Sequence, residues 1–131
     1  MGIKQQRVGK SFEKEILEYY GKKGWWSYKF PTEFNGTICD IMLVKNSACM
    51  MIECKHTTSD KLYYKGCGIY KKRDELQNFV QKYNTNIYIM IKSDKVGTFW
   101  TSWINAKPIF ESQGYLDLEK DCYRGNMEVR E

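Results

Sequence analysis

Asp40, Glu53 and Lys55 are charged residues set inside two apolar runs, Cys39-Asp40-Ile41-Met42-Leu43-Val44 and Met51-Ile52-Glu53-Cys54-Lys55. Burying charge is costly unless a partner offsets it, so this placement needs a reason. Asn46-Ser47 suits a two-residue hairpin loop. If Lys45 pairs with Ala48, the register carries Asp40 opposite Glu53, with Cβ atoms roughly 4.5–5.5 Å apart. Two carboxylates at that distance repel. A divalent cation between them removes the repulsion, and hard oxygen ligands suit magnesium, with manganese as a substitute. Lys55 lies two residues beyond Glu53 and so points to the same sheet face. Two acids, a lysine and a metal on one face can polarise a phosphodiester and activate a water. A plain surface ion pair is the alternative. It contributes only about 0–1 kcal/mol and gives no reason for a position inside apolar strands.

Other residues could join this chemistry. The main-chain carbonyl of Cys54 is a further candidate metal ligand. Glu13 falls on the helical face of Ile16, Leu17 and Tyr20. It could reach the metal directly or through water, or simply favour the helix dipole from the first turn. Gln77 could bind a water or phosphate near Lys55, or be an ordinary surface glutamine. Lys71-Lys72-Arg73 would put cations at a helix start, where phosphates bind, but such runs are often only solvated. Tyr63 and Tyr64 could stack on nucleic acid or pack in the core. Trp25, Trp26, Trp100 and Trp103 read as core or dimer contacts. The five cysteines form no CxxC pair and read as reduced thiols. With His56 the single histidine, zinc-site spacing is lacking.

The elements that must position these groups follow from periodicity. Phe12, Ile16, Leu17 and Tyr20 predict a helix over 11–22. Trp25 to Phe30 reads as a strand stopped by Pro31, and 31–37 as a loop. The hairpin strands span about 37–45 and 48–55, apolar on both faces and hence central in a sheet. Residues 56–70 read as irregular. Leu76, Phe79, Val80 and Tyr83 predict a second helix over 71–83. Strands follow at 86–92 and 97–103, with a short helix near 104–112. The order is that of an α/β protein with a mixed central sheet flanked by helices.

A chain of 131 residues makes one domain, 1–131. Its first ten residues, with Lys4, Arg7 and Lys10, read as a basic flexible arm for the partner, and 113–131 as a loosely ordered acidic tail. The net charge of +5 is uneven. Residues 1–110 hold 18 bases against 10 acids, a net +8, which suits an anionic polymer such as nucleic acid. No apolar run is long enough for a membrane span, and the N-terminus lacks a secretory h-region. The expectation is a cytoplasmic protein, cellular or encoded by a phage or virus.

Asp40, then Glu53-x-Lys55, with Glu13 on a preceding helix, resembles the PD-(D/E)xK nuclease superfamily. Within it, the chain is most similar to the small Holliday junction resolvases of archaea and their phage and RecU-type relatives, over about residues 7–105. The resemblance implies a restriction-endonuclease-like fold. It casts Glu13, Asp40 and Glu53 as metal-site acids, Lys55 as catalytic lysine and Gln77 as the helical glutamine of many members. It also implies magnesium-dependent nicking of branched double-stranded DNA at four-way junctions by a homodimer. The chain departs from the pattern in three places. Cys39 stands where a proline is usual, residues 31–37 are too brief for a RecU-type stalk, and only Thr32 and Thr37 could replace a loop serine. The alternatives are a repair or restriction-type nuclease with another DNA target, an RNA-directed nuclease, and a non-catalytic nucleic-acid-binding subunit.

Overall fold

The computed structural model describes residues 3–31 and 39–128, with side chains from Ser11 onward in the first segment. The first helix, α1, runs Ile3–Lys22. It starts well before the apolar stripe does, because Lys, Gln and Arg over 4–7 are good helix formers. The basic arm expected at 1–10 is therefore helical from Ile3; the side chains of Lys4, Arg7 and Lys10 lie outside the described residues. Phe12, Ile16 and Tyr20 are spaced by four and are all buried. The chain leaves the helix through Gly24, whose φ of 90° favours glycine.

Strand β1 (Trp26–Lys29) pairs antiparallel with β2 (Ile41–Lys45), and β2 with β3 (Ala48–Thr57). The hairpin register is the expected one, from Lys45↔Ala48 to Ile41↔Ile52. Asn46 turns it with a φ of 53°. Residues 32–38, with Thr32 and Thr37, lie outside the described residues. Helix α2 (Arg73–Tyr83), entered through a 3-10 turn at Ile69–Lys72, carries the chain to β5 (Ile87–Ser93), parallel to β3. β6 (Gly97–Ser102) pairs antiparallel with β5, and helix α3 spans Trp103–Gln113. Ser102 caps α3 by accepting from the Asn105 N–H.

Two features depart from expectation. The stretch 56–70 contains β4 (Lys61–Tyr63), which pairs antiparallel with β7 (Tyr115–Asp117) in a separate two-stranded sheet. The acidic tail is built into the fold. It holds β7, helix α4 (Leu118–Asp121) and β8 (Tyr123–Arg124), and β8 adds to β6. Acidic composition hid its alternating apolar residues: Leu116, Leu118 and Met127 are buried, and the Tyr20 hydroxyl donates to the Met127 carbonyl at 2.6 Å. The main sheet has the order β1-β2-β3-β5-β6-β8, a mixed sheet with helices on its faces, as expected.

A core lies on each face. α1 covers Ile41, Leu43, Met50 and Ile52, while α2 and α3 cover Met51, Ile87, Ile89 and Ile91. Trp103 is fully buried in the second core, so its indole is a core contact and not part of a dimer surface. Trp100 stacks on Tyr123 with ring centroids 4.6 Å apart. The exposed tryptophan is Trp26, stacked on Tyr28 along the edge strand β1. All five cysteines are free thiols; Cys39 is buried and Cys49 exposed.

Candidate active site

The hairpin brings Asp40 and Glu53 near each other where β2 begins. Asp40 lies one residue before β2, so ladder pairing stops at Ile41. Its N–H donates to the Ile52 carbonyl at 2.9 Å, one residue off the ladder register, so the strand slips at Asp40 and the expected direct pairing of Asp40 with Glu53 is not kept. Its carboxylate turns over the neighbouring strand, and Oδ2 accepts the Cys54 N–H at 2.8 Å. Glu53 is 3% exposed. Burial first, and then the Asp40 charge, push its carboxyl up to about 7, against the lowering pull of Lys55 and Lys72. Cys39 and Cys54, on either side of this pair, have thiols pushed up, mainly by burial and then by the surrounding acids.

Two lysines hold Glu53. Lys55 Nζ lies 3.5 Å from Oε1 and donates to the Cys67 carbonyl at 2.8 Å. Lys72 Nζ lies 2.5 Å from Oε2. Lys55 stands on the expected face. Lys72 was expected among the cations at a helix start facing DNA, and instead turns inward to the acid pair. No spacing rule marks it out from Lys71 and Arg73 beside it. Lys71 is exposed, whereas Arg73 donates to the Tyr70 carbonyl and lies 3.9 Å from the Tyr70 ring centroid. The cluster therefore divides three ways.

Glu13 stands apart from the pair. It projects from α1, on the face of Ile41 and Ile52, whereas Glu53 shares the opposite face with Met51. Lys29 Nζ is its close partner at 3.0 Å, yet Oε2 is buried without an aligned hydrogen bond. Among the described residues no three His, Cys, Asp or Glu side chains are grouped to hold a metal. The acids brought together are Asp40 and Glu53. They fit a divalent cation through their donor set: hard oxygens, mutual repulsion and a charge need now met by ammonium groups.

Gln77 is committed elsewhere, since its Oε1 accepts from the Trp103 indole at 3.1 Å. Tyr64, a candidate for DNA contact, is 5% exposed and stacks on Phe110 with centroids 4.5 Å apart. Its place in the β4–β7 layer makes it a core residue; Tyr63, at 53% exposure, is the accessible one of the two.

With this geometry in hand, the model of the archaeal Holliday junction resolvase (Hjc) family matches residues 4–114. The chain belongs to this family. It is thus a metal-dependent endodeoxyribonuclease of DNA recombination and repair that cleaves four-way junctions. The structure of Archaeoglobus fulgidus Hjc, a Holliday junction resolvase from an archaeal hyperthermophile, superimposes with a TM-score of 0.57 at 18% identity. The match covers 73% of this chain and 78% of that one, and it shows the shared fold. No curated protein matches the chain. No described helix is long and apolar enough to cross a membrane. The expected fold class and activity are both borne out.

Proposed function

We propose that Asp40, Glu53 and the Cys54 main-chain carbonyl hold magnesium, and that Lys55 is the catalytic lysine of junction cleavage. The observation that carries this reading is the meeting of a buried Glu53 with Asp40 at a strand end, ringed by ammonium groups. Bound there, the ion would neutralise phosphate charge and acidify water. Lys55 is fixed by the Cys67 carbonyl and lies beside Glu53. From that position it orients the attacking water and offsets the negative charge that develops on the phosphate. Glu13, with Lys29 as its counter-ion, is the further metal-site acid and acts through water. Lys71 meets the DNA backbone, and the N-terminal half of α1, with Lys4, Arg7 and Lys10, adds phosphate contacts. Nicking two strands symmetrically takes two such sites, so the working form is a C2 homodimer, acting in the cytoplasm.

The test is cleavage of a labelled four-way junction and a matched duplex, with magnesium and with EDTA, by wild type and Asp40→Asn. Paired nicks on the junction, lost in EDTA and in the variant, support the site. Equal cleavage by the variant removes Asp40 from it.

A further inference from the structure

Each oxygen of Glu53 faces an ammonium group. Lys55 Nζ faces Oε1 at 3.5 Å and Lys72 Nζ faces Oε2 at 2.5 Å. A carboxylate only 3% exposed has little other surface to offer an incoming cation. A divalent ion and an ammonium group on one buried carboxylate repel strongly, because little water screens them. One lysine must therefore yield when a metal enters. Lys55 is the poorer candidate. It sits on the same strand as Glu53, two residues on, and the Cys67 carbonyl holds it from the other side. Lys72 comes from another element, the 3-10 turn before α2, and its side chain is 27% exposed. Among the described residues, Glu53 is the single hydrogen-bond partner of the Lys72 ammonium. Its flexible four-carbon stem can swing toward solvent. Neither neighbour can stand in for it: Lys71 is exposed and Arg73 is bound to Tyr70.

We propose that Lys72 is a positioning residue, the resident counter-cation that holds the Glu53 carboxylate in place until a divalent cation displaces it. The inference rests on the acid-pair reading of the metal site. Its consequence is that the charge of Lys72 opposes metal binding. Removing that charge should tighten binding in the absence of any DNA, and keeping it should not.

Calorimetric titration of magnesium, and separately of manganese, into the DNA-free protein at about pH 8.5, where protons compete little for Glu53, tests this. The chains compared are wild type, Lys72→Met, Lys72→Gln, Lys72→Arg and Asp40→Asn, each checked for folding by thermal unfolding. Lys72→Met should bind about tenfold more tightly than wild type, the factor that 1.4 kcal/mol gives. Lys72→Gln should follow it and carries the comparison if the methionine chain does not fold. Lys72→Arg should stay within about twofold of wild type, since the charge remains. Asp40→Asn should lose binding. Unchanged or weaker affinity in both neutral variants, with wild type binding metal, overturns the displacement and leaves the acid pair standing. No binding by wild type or by either neutral variant overturns the acid pair and this inference together.

Discussion

The hairpin over 41–55 and the segment over 58–73 both bring charged side chains to Glu53, and they are built in opposite ways. The hairpin is local. A turn at Asn46-Ser47 sets the register, and the pairing from Lys45↔Ala48 to Ile41↔Ile52 follows from it. The segment is held by remote chain. Leu62 pairs with Leu116, the Tyr64 N–H donates to the Gly114 carbonyl, and the Leu118 N–H donates to the Asp60 carbonyl. The position of Cys67, which fixes Lys55, and of Lys72, which fixes Glu53, thus depends on the last turn of α3 and on β7. The acids and Lys55 come from a short-range rule, and Lys72 and the Cys67 carbonyl from a long-range one.

The sharpest way to break this division is at the hairpin acids. Asp40→Asn and Glu53→Gln should each lower the single-turnover nicking rate of a four-way junction by about a thousandfold or more, roughly 4 kcal/mol of barrier. Junction binding in a gel-shift assay should persist, because the substitution removes a charge that repels phosphate. Lys55→Ala should lower turnover by about a hundredfold with metal affinity retained. Nicking at the wild-type rate in any of these variants would take that residue out of the site.

The remote half should fail differently. Leu116 is fully buried opposite Leu62. Leu116→Ala should cost about 2–5 kcal/mol of stability in urea denaturation, the range for a truncated core leucine. A loss below about 1 kcal/mol would mean that the β4–β7 layer does not anchor the segment.

These two sets of residues also mark what the sequence could tell. Asp40, Glu53 and Lys55 were legible because a two-residue turn fixes who faces whom, and because charge in an apolar strand is a loud signal. The helices around Phe12 and Leu76 were legible from spacing. Lys72 was not, since its inward turn is decided by where the 3-10 turn docks. Tyr64 and Gln77 are set by the same kind of remote contact: their partners, Phe110 and Trp103, lie on a helix far along the chain. The tail's order is hidden because its charges outnumber the apolar residues that anchor it, Leu116, Leu118 and Met127.

Acidity probes the meeting point of the two regions. The Glu53 carboxyl stands at about 7 in the folded protein, raised by burial and by Asp40 from an ordinary 4.5. A raised acid contributes stability that is full below the unfolded value and lost as pH climbs through the folded one. Metal-free wild type should therefore lose on the order of 3 kcal/mol relative to Glu53→Gln between about pH 4.5 and pH 7, with no further change above. Metal affinity should move the other way, weakening below about pH 7 as protons compete for the carboxylate. Urea midpoints for the two chains across that window, with a magnesium titration on either side of pH 7, check both signs. A flat difference would mean that Lys55 and Lys72 already hold Glu53 ionised.

The smallest effect belongs to Gln77, and it asks which region that residue serves. Its carbonyl accepts the indole N–H of Trp103, a side chain wholly enclosed between α2 and the sheet. Gln77→Ala removes the acceptor and leaves a buried donor unpaired, which costs about 1–3 kcal/mol. The loss should appear in the urea midpoint while the nicking rate of the folded protein stays within about threefold of wild type, because Lys55 takes its support from Cys67. Trp103→Phe should abolish most of the effect of Gln77→Ala, since no indole then needs the acceptor, and a double-mutant cycle measures that coupling. A drop in nicking of tenfold or more in a chain of unchanged stability would move Gln77 out of the α2–α3 packing and into the group that the hairpin positions.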